Sequence, residues 1–284
     1  MRDTCVVLLS DFGSRDVYAG VMKGVISRIA PRARLIDLTH EVPAGDVRLA
    51  AFRLWQAFRS MPPGAVFLAV VDPGVGTARR PLAVRCEGFS CVGPDNGIFT
   101  YMLEGRLDAN AFEISRLEDL VEPGSRPQSK TFHGRDVFAP AAALLARGMD
   151  ITRLGPPARN LVRISLPRLS SDGPHGPVRG EALHADGFGN MVTSIGALVR
   201  SAEVVRLDPW VPGCAPLILP ASRARVRLGK GGELPLEHTF GSVPPGRPFA
   251  YIGSDNLLEI GVNRGKASDL LELAPGTEID LFWQ

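Results

Sequence analysis

The first half of the chain alternates short apolar runs with stretches whose apolar residues recur every three or four positions. The runs at 5–9 (CVVLL), 35–38 (LIDL) and 65–71 (AVFLAVV) have the pattern of strands covered on both faces. Between the first two, Val17, Val21, Val25 and Ile29 recur every four residues until Pro31, which predicts a helix along that stripe. Val47, Ala51, Leu54, Trp55 and Phe58 repeat the helical spacing, with Asp46 placed to cap the start. Residues 137–145 predict a third helix, ended by Gly148, with Pro140 tolerable because it falls in the first turn. Strand, helix, strand, helix, strand implies a parallel sheet.

Past Leu166 the texture changes. Residues 167–177 (PRLSSDGPHGP) are rich in Pro, Gly and Ser, the composition of a linker. Short runs with close turn signals follow at 178–184, 191–195, 204–207, 223–228, 249–252 and 257–262, as in an antiparallel sheet. The expected architecture is α/β. An N-terminal α/β domain with a mainly parallel central sheet would span 1–166. A smaller, mostly antiparallel β domain would span 178–284.

Composition narrows the class. The 284 residues suit one large domain or two moderate ones, and 45% hydrophobic with 22% charged residues excludes wholesale disorder. No apolar run approaches the roughly 18 residues of a membrane helix. The run at 5–9 meets Asp11 too soon for a signal peptide, so a cytoplasmic protein is expected. A formal net charge of +2 gives no nucleic-acid footprint. Arg223, Arg225 and Arg227 alternate with Ala224 and Val226, as on the solvated face of a strand. Cys5, Cys86, Cys91 and Cys214 lack zinc-type spacing and are expected to be buried free thiols, Cys86 and Cys91 at neighbouring strand ends.

The candidate chemistry gathers where strands should end. Strand one runs into SDFGSRD (10–16), strand two into THE (39–41) and strand three into DPGVGTARR (72–80). Two further segments, GPDNG (93–97) and TFHGRD (131–136), share this style. Ligands of open α/β sheets bind beyond the carboxyl ends of the strands. A single Asp in such a place is commonly a cap or an Asx-turn; several in loops converging on one edge point to a site. Nucleotide templates fail: GVGTAR has Arg79 where a dinucleotide fingerprint needs its third Gly, and GKG (229–231) lacks the Walker Ser or Thr. Neither a G-x-S-x-G elbow nor an HExxH pair occurs.

The segments SDFGSRDVYAGVMKG (10–24), VDPGVGTARR (71–80), GPDNG (93–97), KTFHGRDVFAPAAA (130–143) and DGFGNMVTSI (186–195) together resemble the DUF62 family. These are the S-adenosyl-L-methionine hydrolases, or SAM hydroxide adenosyltransferases, related to the fluorinase and chlorinase. The resemblance runs from Leu9 to about Ala267. It implies a larger N-terminal α/β domain, a smaller C-terminal β domain, and a homotrimer with active sites at subunit interfaces. It also implies an Asp–Arg–His triad that the halogenases have replaced, here Asp72, Arg79 and His133. Asp11 falls on the family's ribose-holding Asp and Asp16 on a residue near the methionine amino group. Asp186, Phe188 and Asn190 match the motif at the methionine end of the ligand, and Ser254 and Val262 match contacts to the methionine end and the adenine. Asp255 stands where the fluorinase has Arg, and Gly45 where it has Trp.

The expected reaction is hydrolysis of S-adenosyl-L-methionine to adenosine and L-methionine. The sulfonium is already an activated leaving group, so the protein must supply an oxygen nucleophile in line with the C5′–S bond. Arg79 and His133 would hold the water, with Asp72 orienting them; alternatively His133 would act as general base. Taken singly, Asp72 would merely shape a turn, Arg79 pair with a surface acid, and His133 be a satisfied buried ring. No cofactor or metal is implied, and the partners expected are S-adenosyl-L-methionine and adenosine, without nucleic acid or membrane. The alternatives are a halogenase, a catalytically silent module that binds S-adenosyl-L-methionine or adenosine, and a metal-dependent hydrolase.

Overall fold

The computed structural model describes residues 4–86, 88–120, 129–173, 176–229 and 231–283. His175 and Lys230, and with them part of the 167–177 segment, lie outside the described residues. The chain divides into two compact units, Met1–Ser165 and Leu166–Gln284.

In the first unit β1 (Cys5–Ser10), α1 (Tyr18–Ile29), β2 (Arg34–Thr39), α2 (Val47–Ala57) and β3 (Ala65–Val70) follow one another. A hairpin of β4 (Pro81–Cys86) and β5 (Phe89–Pro94), then β6 (Asn110–Glu113) and α3 (Ala139–Ala146), complete it. The sheet order is β2-β1-β3-β5-β4-β6. The first four strands in this order are parallel, and β4 runs antiparallel to both its neighbours.

The unbroken apolar runs of β1 and β3 have a direct cause. Successive side chains point to opposite faces. Val6, Leu8, Val66 and Leu68 pack against Met22 and Ile26 of α1 and the Ala-rich α3. Val7, Leu9, Phe67 and Ala69 pack against Ala50 and Leu54 of α2. A helix layer therefore covers each face of the sheet.

Two expectations about the first strands and helices need correction. β2 is not covered on both faces: it is an edge strand, and Asp37 in its middle meets Lys23 at the surface. The four-residue stripe does not mark the buried face of α1: Val17 precedes the helix and is 72% exposed, while Ala19, Met22 and Ile26 are buried. A step of four residues advances about 40° round a 3.6-residue helix, so such a stripe winds off the core.

The other helices follow their signals. Asp46 caps α2 by accepting from the Leu49 N–H at 2.9 Å. α3 carries Pro140 in its first turn. It ends where Gly148 turns to φ +87°, with Gly148 N–H donating to Leu145 O and Met149 N–H to Leu144 O, a Schellman arrangement. The sequence pattern omits one feature, a π-helical turn over Gly134–Phe138 that leads into α3. Cys5, Cys86 and Cys91 are buried free thiols, though Cys91 lies within β5 opposite Val84 and not at a strand end; Cys214 is half-buried.

The second unit contains β7 (Ser170–Ser171), β8 (Val178–Ala185), β9 (Met191–Gly196), β10 (Leu198–Arg200), β11 (Val204–Leu207), β12 (Leu217–Pro220), β13 (Ala224–Leu228) and β14 (Glu233–Pro235). It continues with β15 (Pro248–Ile252), β16 (Leu257–Val262), the short α4 (Ala267–Leu270) and β17 (Glu278–Trp283). The larger sheet runs β14-β13-β17-β8-β9-β16-β15, with β7 beside β8, and a small sheet runs β10-β11-β12; the strand pairs are antiparallel. Arg225 is exposed, and Arg227 pairs with Glu233 and lies over the Phe282 ring, the solvated face expected of β13. β17 went unmarked in the sequence, yet it pairs with both β13 and β8. No helix among the described residues is long and apolar enough to cross a membrane.

Phe67 is fully buried, so Phe67→Ala should destabilise the protein by about 3–5 kcal/mol. Val17→Ala, in an exposed position, should change stability by no more than about 0.5 kcal/mol. Urea unfolding of the two variants measures the contrast.

Candidate active site

The polar loop after β3 folds back on itself through two tight turns. Val75 N–H donates to Asp72 O, and Thr77 N–H and hydroxyl both donate to Gly74 O. Gly76 takes φ +78°, and a Cβ there would sit 2.7 Å from the carbonyl oxygen of Lys130. Only glycine allows this backbone shape and this close approach. The loop thereby lies against the segment that carries His133.

Arg79, at the far end of the loop, turns back to Asp72. Its Nε donates to Asp72 Oδ1 at 2.9 Å, and its Nη2 donates to Asp72 Oδ2. This is a bidentate, charge-assisted pair, and both side chains are buried, 9% and 6% exposed. Nη2 also lies 2.9 Å from His133 Nδ1. The Phe138 ring packs against the guanidinium at 5.1 Å.

These bonds fix the state of His133. A guanidinium only donates, so Nδ1 must accept, and the neutral ring carries its proton on Nε2. Burial lowers the imidazole pKa below 6.5 and the Arg79 charge lowers it further, against the opposing pull of Asp72 and Asp136. His133 is therefore neutral at pH 7. One buried donor, Arg79 Nη1, has no hydrogen-bond partner among the described residues, and the His133 ring lines a cavity. Buried donors in native proteins are almost always satisfied, so Arg79 Nη1 is an exception that an oxygen ligand would relieve.

A cavity of about 480 Å³ opens here, lined by Asp11, Gly45, Asp72, Pro73, Phe132 and His133 among others. Asp11 ends the first strand's loop entry and its Oδ2 accepts from the Gly45 N–H at 2.9 Å. Phe12, Tyr18 and Phe132 form an aromatic cluster beside it, with centroids 5.2–5.8 Å apart and Phe132 edge-to-face with the other two. A larger cavity of about 660 Å³ at the opposite end of β1, beside Thr4, Arg28 and Arg147, contains none of the expected site residues. The smaller one is the functional candidate because the titratable groups converge on it.

The structure thus brings Asp11, Asp72, Arg79 and His133 together. Asp16 stays apart, exposed in the bend before α1 and outside the cavity lining. In the second unit, Asp186 and Asn190 build one loop. Asp186 Oδ1 accepts from the N–H groups of Phe188 and Asn190, and Oδ2 from Asn190 Nδ2. Phe188 stands at its tip, 81% exposed. Val262 is buried in the core at that end of β16, whereas Ser254 is exposed in the turn at the other end. The second unit therefore does not gather these five at one point.

Phe138 is the site residue that sequence reasoning missed. It lies five positions beyond His133, across the π-helical turn, a spacing that a search at 3.6 residues per turn passes over. Among the described residues, no group of three His, Cys, Asp or Glu side chains is arranged to hold a metal ion.

Comparison with known proteins adds a family. Residues 6–155 match the family model described as the SAM hydroxide adenosyltransferase N-terminal domain, and residues 180–280 match that of the C-terminal domain. An (R)-S-adenosyl-L-methionine hydrolase of Thermus thermophilus is 43% identical over 98% of this chain and 99% of its own length. A fluorinase of an Actinoplanes species is 27% identical over 91% of this chain and 90% of its own. The crystal structure of an uncharacterized conserved protein from Thermotoga maritima superposes with a TM-score of 0.82 at 34% identity, covering 98% of this chain and 99% of that one.

Removing one partner of the buried Asp72–Arg79 pair leaves an uncompensated charge. Asp72→Ala should therefore lose about 3 kcal/mol or more in urea unfolding. The folded-state pKa of His133 lies below the unfolded value near 6.5, so the unfolded chain takes up the proton first. Its contribution to stability is complete above pH 6.5 and is lost as pH falls through the lower folded value. The urea midpoint of His133→Gln should accordingly depend less on pH between 7 and 5 than that of the parent.

Proposed function

The chain belongs to the SAM hydroxide adenosyltransferase family, and from that premise we infer that it hydrolyses S-adenosyl-L-methionine to adenosine and L-methionine. The observation that carries the reading is the Asp72–Arg79–His133 cluster, in which Asp72 and His133 line the cavity and Arg79 binds both. A water oxygen in the cavity accepts from the Nε2–H of His133, whose Nδ1 is held by Arg79. The positive charge of Arg79, on the other side of the imidazole, favours the deprotonated form. That oxygen attacks C5′ of the ribose, the C5′–S bond breaks, and its electron pair returns to sulfur as the neutral thioether of methionine. One proton is released to solvent, which balances the loss of the sulfonium charge. Fixing both partners in line supplies the positional advantage.

The tautomer argues against His133 as general base. Nδ1 is occupied by Arg79 and Nε2 already bears a proton, so the ring has no lone pair to offer the water. Asp72, with both oxygens engaged by Arg79, orients the guanidinium and repels a competing halide ion. Asp11 keeps Oδ1 for the ribose hydroxyls, since Gly45 occupies only Oδ2. Asp16, Asp186, Phe188, Asn190, Ser254 and Val262 are assigned to the methionine end and the adenine on family resemblance. A homotrimer in the cytoplasm, with active sites at subunit interfaces and with neither metal nor organic cofactor, completes the reading. The relatives' name supports one further reading. With the amino acid specified as L, its R descriptor falls on the sulfonium, and the same epimer preference is proposed here.

Incubation of the purified protein with S-adenosyl-L-methionine should yield adenosine and methionine, unaffected by added chloride or by a chelator, with the R sulfonium consumed first. Arg79→Ala and His133→Ala should each lower turnover by about 10²-fold or more, and unchanged turnover in both would refute the assignment. Binding without turnover in the parent would favour the silent module, and loss of activity with chelator the metal hydrolase. Turnover should fall on acidification below pH 6.5, because a protonated His133 can no longer accept from Arg79.

A further inference from the structure

A second histidine lies beside the cavity without lining it. His40 follows β2, and its imidazole is 9% exposed. Nδ1 lies 2.7 Å from the hydroxyl of Ser10, the fully buried last residue of β1. Nε2 lies 3.1 Å from Asp37 Oδ1, and Asp37 Oδ2 accepts from Lys23 Nζ of α1 at 2.9 Å. A carboxylate only accepts, so Nε2 carries a proton and the ring is held at both ends. The backbone repeats the link: Gly13 N–H donates to His40 O at 2.7 Å, and Val42 N–H to Ser10 O at 3.4 Å. Between Ser10 and Gly13 sits Asp11, whose Oδ2 accepts from Gly45 in the loop that follows His40.

We propose that His40 is a positioning residue that sets the Asp11 carboxylate for its ligand, its ring holding Ser10 on one side while its main-chain carbonyl holds Gly13 on the other. The proposal rests on the reading of Asp11 as the ribose-binding group. The geometry favours it over simple core filling. A core imidazole needs partners, but this one is fixed on Ser10, the residue before Asp11, and is braced through Asp37 by a lysine on a different element. The ring reaches no reacting atom, so its effect belongs in affinity and not in the chemical step.

The test is a double-mutant cycle read by adenosine binding in calorimetry and by steady-state kinetics with S-adenosyl-L-methionine. His40→Ala should raise KM and the adenosine Kd together by about tenfold, the equivalent of one or two lost hydrogen bonds, with kcat lowered by no more than about threefold. In an Asp11→Ala background the same change should have no further effect on adenosine Kd. Ser10→Ala should move Kd in the same direction by a smaller factor, and it decides the question in the same cycle if His40→Ala fails to fold. A fall in kcat at constant KM, or an equal loss of affinity with and without Asp11, overturns the proposal. Adenosine binding by a parent protein that does not turn over S-adenosyl-L-methionine would sink the hydrolase reading alone, while the cycle still decides the role of His40. A parent that binds no adenosine overturns both.

Discussion

The guanidinium of Arg79 lies between a carboxylate and an imidazole, and its planar fork decides what each can be. Two of its nitrogens are spent on Asp72, and one of these also reaches His133. Because arginine stays charged at any working pH and accepts no hydrogen bond, it forces the histidine into one tautomer and one charge state. A lysine there would hold a point charge but would impose neither plane nor tautomer. The surrounding fold serves this arrangement: Gly76 lets the loop approach Lys130, the π-helical turn sets Phe138 against the guanidinium, and Asp136 accepts from Ser129 N–H to tie down the segment before His133.

Much of the first unit was legible because its strands obey a simple rule. Runs without polar interruption are sandwiched between helices, and β1 and β3 are so placed; β2, interrupted by Asp37, sits at the edge. The Asp46 cap and the Gly148 stop depend on local chemistry, which sequence carries in full. The drift of the Val17 stripe off the core, and the π-helical spacing of Phe138, were hidden because both depart from the period being read. In the second unit, short strands such as β10 and β14 carry too few residues to show alternation. The pairing of β17 comes from neighbours distant in sequence.

For the site the division is similar. Loop composition marked 72–80 and 131–136 as unusual, but no spacing says that Arg79 bends back on Asp72 or that its partner across the pocket lies 54 positions away. Those contacts are tertiary. Resemblance to a family supplied them, and the coordinates independently place the same three side chains within hydrogen-bonding distance. Ser254 and Val262 show the converse. A motif match names positions, but one of these side chains is in the core and the other lies at the far end of a strand.

The loop at 186–190 separates two jobs that many sites combine. Its shape is held by Asp186 and Asn190 bonding to each other and to the backbone, while its most prominent side chain, Phe188, takes part in none of that scaffolding through its ring. A tip so supported is an exchangeable part. Evolution, or an engineer, can vary what residue 188 offers to the outside without having to reinvent the turn that presents it.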